Sequence, residues 1–144
     1  MSARVFIDSN VLVYAHDRAA GRRRDLARAL IRRLWSDRTG VLSTQVIQEF
    51  YVNVRRKARN PVSLDEAHRL VEDYLKWEII VNDERSILGA LELEGRYKLS
   101  FWDSLILQAA KISGVETVYS EDLNHGQLYD GVQVVNPFLE DAAD

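Results

Sequence analysis

The sequence predicts an α/β domain: a mostly parallel central sheet of four to five short strands, with helices on both faces. Three observations carry that expectation. Short apolar runs at 5–7, 40–43, 78–81, 116–120 and 132–135 are too brief for helices and rich in Val and Ile. Most of the stretches between them are long and show helical apolar spacing, which is the crossover that parallel neighbours need. Two of the runs end directly on acids, Asp8 and the pair Glu121-Asp122, so both acids should lie on one edge of the sheet. That carboxyl edge is where open α/β sheets place their sites.

The first strand, Val5-Phe6-Ile7, stops at Asp8-Ser9-Asn10, and the apolar pattern resumes at Val11 as a helix packing back onto it. Residues 21–37 space Leu26, Leu30, Ile31 and Leu34 helically, with arginines around them. After the strand at 40–43, a helix from Thr44 runs through Val46, Ile47, Phe50, Tyr51 and Val54 until Asn60-Pro61 breaks it. Ser63-Leu64-Asp65-Glu66 has the form of a capping box opening a helix to about residue 76. A helix over 83–97 places Ile87, Leu88 and Leu91 on one side. Ser100 opens the most apolar helix, closed by Gly114. The polar turn Asn124-His125-Gly126 leads to the last strand. A single domain over 1–137 is expected, with 138–144 a short, loose, acidic tail.

Composition sets the class. The chain has 144 residues, 47% hydrophobic and 28% charged, enough for a core without staples. With no cysteine, thiolate nucleophiles, disulfides and Cys-bound zinc are excluded. Neither a signal peptide nor a membrane span is expected, which makes the cytoplasm the default compartment. The net charge of −3 conceals an imbalance: residues 1–60 hold 13 Lys and Arg against 5 Asp and Glu, and residues 61–144 hold 6 against 17. A basic half suits a polyanionic partner; mutual pairing of the two halves is the alternative.

Four carboxylates stand at functionally suggestive places. Asp8 and Asp122 follow strands, although Asp8 could simply cap the next helix. Asp103 lies in the first turn of a strongly apolar helix, where it could serve the helix dipole alone. By angular position Glu49 falls away from Ile47, Tyr51 and Val54, so its pattern is that of a solvated face. If the four converge, two charges about 4 Å apart repel by about 4 kcal/mol at an effective dielectric of 20. A proton or a cation must offset that. Oxygen donors without His or Cys favour Mg²⁺ or Mn²⁺, and such a site is suited to phosphodiester hydrolysis.

At these residues a resemblance appears. Val5 to Ala15 resembles the opening motif of PIN-domain ribonucleases, a strand ending in Asp followed by Ser/Thr-Asn and an apolar helix. Ser43-Thr44-Gln45-Val46-Ile47-Gln48-Glu49-Phe50 is similar to their second motif, Ser100-Phe101-Trp102-Asp103-Ser104-Leu105-Ile106 to the third, and Tyr119-Ser120-Glu121-Asp122-Leu123-Asn124-His125-Gly126 to the fourth. Four motifs in order span nearly the whole chain, and the last is similar to that of VapC toxins from bacterial toxin–antitoxin pairs.

The resemblance implies a PIN-like three-layer fold and Mg²⁺-dependent endonucleolytic cleavage of RNA. It assigns the catalytic acids to Asp8, Glu49, Asp103 and Asp122, with Asp8, Asp103 and Asp122 as metal ligands. It gives Asn10 the support of the first acid and puts Ser120 near the metal; Glu121 is left as a rival or helper to Asp122. It further implies a small VapB-like antitoxin as partner and a homodimer. Arg22, Arg23, Arg24, Arg55, Arg56 and Lys57, with Arg59, are the candidates for RNA phosphates. His16, His68 and His125 lack ligand spacing, and Trp35, Trp77 and Trp102 suit core or interface. Two other functions fit less of the pattern: a non-catalytic RNA-binding or scaffold domain, and a phosphatase with Asp8 as nucleophile. The second would usually carry Asp-x-Asp, where Asn10 stands here.

Overall fold

The computed structural model describes residues 3–56 and 58–139. The elements run β1 (Val5–Ile7), α1 (Ser9–His16), α2 (Arg22–Asp37), β2 (Gly40–Ser43), α3 (Thr44–Arg56), α4 (Leu64–Tyr74), β3 (Glu78–Ile80), α5 (Glu84–Tyr97), α6 (Phe101–Ser113), β4 (Thr117–Tyr119), β5 (Leu128–Tyr129) and β6 (Val132–Val135). The strands form one sheet in the order β3-β2-β1-β4-β6-β5, parallel throughout except for β5. The crossovers from β1 to β2 and β3 carry α1–α4, and the return from β3 to β4 carries α5 and α6; the right-handed rule for parallel crossovers places the two sets on opposite faces. Packing follows that division: α1 lies against α2 and α3, and α5 against α6.

The core is what the short strands supply to both faces. Phe6, Val41, Leu42, Val118 and Val134 are fully buried, and Val11, Leu12, Phe50 and Leu107 pack on them from the helices. Burying each such side chain stabilises the fold by about 1.5–3 kcal/mol. Among the described residues no helix is long and apolar enough to cross a membrane.

Local chemistry explains most boundaries. Asp83 and Ser86 make a reciprocal capping box at α5, each side chain accepting from the other's backbone N–H. Ser63 caps α4 through Glu66 N at 3.2 Å, and Gly114 ends α6 in the left-handed region at φ 82°.

Two expectations need correcting. The sheet has six strands instead of four to five, because Leu128–Tyr129 folds back antiparallel on β6. The turn between them is Asp130-Gly131, with φ of 50° and 87°, the pair of positive values a tight two-residue hairpin demands. That Asp-Gly signal was present in the sequence, but two residues give no readable strand pattern. The start of the tail is not loose: Phe138 is buried, and its ring meets Tyr14 edge-on at 5.1 Å. Residues 140–144 of the expected tail lie outside the described residues. On α5, Ile87, Leu88 and Leu91 share one side, as expected, and that side is exposed, while Ser86, Ala90 and Leu93 go inward.

Gly40 opens β2 beneath the ring of Trp77, which itself packs on Trp35 and Tyr74. A Cβ at Gly40 would lie 2.1 Å from Trp77 Cζ3 and 2.4 Å from Cε3. Gly40→Ala should therefore destabilise by about 1–3 kcal/mol, a loss of several degrees in Tm by thermal circular dichroism. An unchanged Tm would show that the indole moves aside freely.

Candidate active site

β1 lies between β2 and β4, at the point where the chain reverses its direction of travel across the sheet. Such a switch point leaves a crevice beyond the strand ends. The register Ile7↔Tyr119 sets the residues following β1 and β4 side by side, and Asp8 N–H donates to Tyr119 O at 3.0 Å.

Asp8 is only 4% exposed. It does cap α1, with Oδ1 accepting from Ser9 N at 2.7 Å, but its Oδ2 accepts from Ser120 Oγ at 2.8 Å. The same Ser120 hydroxyl accepts from Asp122 N at 3.1 Å, so one buried serine joins the first acid to the fourth. Burial drives the Asp8 pKa up to about 7. The Ser120 and Ser9 hydrogen bonds oppose the rise, and the charges of Asp122 and Glu49 add to it.

Asn10 works on the fourth motif instead of the first acid. Its Nδ2 donates to Asp122 Oδ2 at 3.0 Å, and its Oδ1 accepts from Glu121 N at 3.3 Å. Asp8 is held by Ser9 and Ser120. Glu121 turns the other way: Tyr14 Oη and Arg23 Nε both donate to it at 2.7 Å. Burial, then the Glu121 hydrogen bond, lifts the Tyr14 pKa to about 12. Asp122 is thus the acid that faces the other three, and Glu121 is neutralised on the α1–α2 side.

Glu49 contradicts its helical-wheel position. It is half-buried on α3, accepting from Ser9 Oγ at 3.3 Å and, at the 3.5 Å limit, from Gln45 Nε2. Gln45 also donates to Trp102 O at 3.1 Å, tying α3 to the start of α6. Its Oε1 is buried without a donor among the described residues. Burial raises the Glu49 pKa, partly opposed by Gln45 and Ser9 and reinforced by the charges of Asp103 and Asp122. Asp103 is half-buried in the first turn of α6, below the Ser100 cap; burial raises its pKa, with Asp122 adding to the rise. The four acids therefore act on one another through a common field, and the groups acting most strongly on Asp8, Glu49 and Asp103 include no basic side chain.

Sequence reasoning missed Ser9 and Gln45, the two tethers of Glu49. Gln45 carried a usable signal, being one helical turn before Glu49 on the same helix face. Among the described residues, no three His, Asp or Glu side chains are arranged to hold an ion as they stand. The donor chemistry nevertheless fits a hard divalent cation: oxygen ligands only, excess negative charge, and exposure at Asp122 through which an ion can enter.

The arginines separate into engaged and free. Arg22 donates to Phe138 O at 3.0 Å, and Arg23 is paired with Glu121. Arg24 has a buried Nε without a partner among the described residues, Arg55 lies over Tyr51 on its own helix, and Arg56 is exposed. Lys57 lies outside the described residues. His16 is pressed against Phe50 and Tyr74, and burial, then Arg28 and Arg24, pushes its pKa down to about 4. His125 Nδ1 accepts from Asn136 N at 3.0 Å, a loop-building role.

Four acids that act on one another at the switch point of a parallel sheet stand where open α/β folds place their sites. The chain belongs to the PIN-domain family, whose family model matches residues 5–130. No curated protein sequence matches significantly. Among solved structures, the chain is similar to a toxin–antitoxin complex from Klebsiella pneumoniae, at 21% identity and TM-score 0.67 over 94% of this chain and 98% of that one. It is also similar to DNA-bound VapBC from Salmonella typhimurium, at 14% identity and TM-score 0.64 over 92% and 97%. A third likeness is to Mycobacterium tuberculosis VapC20, a sarcin–ricin-loop-cleaving toxin, at 16% identity and TM-score 0.61 over 81% and 88%. At these identities the likeness is one of fold.

The burial of Asp8 makes stability depend on pH. Its folded pKa lies above its unfolded value, so its contribution is intact below about pH 4 and is lost as pH rises through about 7. Asp8→Asn escapes that loss. In a chelator, the variant should match the wild type near pH 4 and melt several degrees higher at pH 8. The opposite shift of His16 is common to both chains and cancels. A Tm difference constant with pH contradicts the assignment.

Proposed function

We propose that this protein is a metal-dependent endoribonuclease, the toxin of a VapBC-type toxin–antitoxin pair acting in the cytoplasm. The observation that carries the reading is that Asp8, Glu49, Asp103 and Asp122, four motif acids from separate parts of the chain, act on one another at the carboxyl edge of the sheet, with Ser9 and Ser120 bridging them. PIN-family membership and the fold shared with a sarcin–ricin-loop-cleaving toxin support an RNA substrate. Neighbours solved as toxin–antitoxin complexes support a small VapB-like antitoxin as partner. The exposed Ile87, Leu88 and Leu91 of α5 support a homodimer.

Asp8, Asp103 and Asp122 would hold Mg²⁺, with Mn²⁺ as a substitute. Bound there, the ion would activate water and neutralise charge on the phosphodiester. Ser120 and Asn10 fix Asp8 and Asp122 relative to each other, so these acids meet the ion already oriented. Glu49, whose burial favours the protonated form, would accept the proton of the attacking water at its carboxylate. The water oxygen bonds to phosphorus as one ester P–O bond breaks, and the departing sugar oxygen leaves as a hydroxyl, taking its proton from Glu49 or solvent. A phosphatase with Asp8 as nucleophile would call for a second acid where Asn10 stands.

Purified protein should cut total cellular RNA at discrete positions with Mg²⁺ and fail to do so with a chelator. Asp8→Asn should lower the cleavage rate at least about 100-fold with an unchanged circular dichroism spectrum, the range expected when charge stabilisation in an enclosed site is lost. Full activity in that variant would overturn the reading. Tight RNA binding with no cleavage in any condition would favour the scaffold alternative.

A further inference from the structure

The acids bring a difficulty with them, because a negatively charged crevice repels the phosphates it is meant to cut. Beside it, and sharing Asn10 with it, is a cleft of about 440 Å³ that the reaction leaves unused. The cleft lies between α1, the start of α2 and the end of α3, where Val13, Tyr14, Arg23, Asn53 and Arg59 join Asn10 in its wall.

The lining divides by chemistry. Val13 and the Tyr14 ring are apolar. Arg23 is engaged already, its Nε held by Glu121 while its guanidinium lies over the Tyr14 and Phe138 rings at 5.7 and 5.8 Å. Arg59 is anchored by its backbone: its N–H donates to Oδ2 of buried Asp17 at 2.8 Å, and the next residue donates to Oδ1 at 3.0 Å. The Arg59 guanidinium and the Asn53 side-chain amide form no hydrogen bond among the described residues, so both are available to a ligand.

The geometry points to this cleft as the subsite for one unpaired nucleotide of single-stranded RNA, next to the phosphodiester at the acids. Arg59 takes a flanking phosphate, the apolar wall bears the base, and the Asn53 amide meets a base edge. The volume suits one small ligand and not a duplex. This inference rests on the ribonuclease reading and supplies the substrate grip that the acids lack.

The test measures binding separately from cleavage. A fluorescein-labelled pool of random 12-nucleotide single-stranded RNA is titrated in EDTA, by anisotropy, with Asp8→Asn protein and with the same protein carrying Ala20→Trp or Arg59→Ala. Ala20 lines the cleft, so the indole fills it; circular dichroism checks the fold, and Arg59, being exposed, can be changed without touching the core. Each second change should weaken binding at least about fivefold. Arg59→Ala should also lower the slope of log affinity against log salt by about 0.7, the loss of one phosphate contact on a single strand. Unchanged affinity and slope in both variants, or no RNA binding before either change, overturns the proposal. If the variants lose binding while the wild type cuts nothing with Mg²⁺, the subsite stands and the nuclease reading falls. If the wild type cuts and the variants bind normally, the nuclease stands and the cleft is left for a protein partner.

Discussion

Asp8 places a carboxylate at the carboxyl end of the central strand, between the fully buried Ile7 and a helix packed on the same core. Its solvation there comes from two donors, Ser9 N–H and the Ser120 hydroxyl, which are too few to keep its pKa ordinary. Groups in such a position are tolerated where function uses them. The surrounding architecture follows from that constraint. β4 must run beside β1 to deliver Ser120, and the loop after β4 must turn so that Asp122 meets Asn10.

Two neighbouring acids show how finely the loop is set. Glu121 and Asp122 are adjacent in sequence and alike in charge, yet one is bound by Arg23 and Tyr14 and the other joins the field of Asp8, Glu49 and Asp103. Asn10 holds the division in place by bonding the backbone of the first and the side chain of the second. The basic half of the chain does not collapse onto the site: Arg23 is spent on Glu121 and Arg22 on Phe138 O, while Arg59 is held by its backbone with its guanidinium available.

What was legible in the sequence was what repeats or punctuates. Short β-branched runs between helical stretches gave the parallel sheet, and strand-terminal acids gave its carboxyl edge. Ser100 and Gly114 bracketed α6 correctly. Glu49 was not legible from periodicity, because the face it occupies is covered by other parts of the chain, Ser9 and the start of α6, and not by the core side of its own helix. Only the resemblance of its motif singled it out. β5 was hidden by its length, and the fate of the arginines by contacts more than 90 residues apart, such as Arg23 with Glu121. Phe138 was lost among acids, although one aromatic ring beside Pro137 was enough to anchor the chain there.

The central claim is that four carboxylates form one electrostatic unit whose excess charge is a cation's binding site. Titrating Mn²⁺ into ¹⁵N-labelled protein and following paramagnetic broadening tests it most directly. The account predicts that the amides of Ser9, Glu49, Asp103 and Asp122 broaden first and together, and that Asp122→Asn weakens the effect at all of them. Broadening that begins elsewhere, for instance at the acidic start of α4, and is indifferent to Asp122 would contradict it.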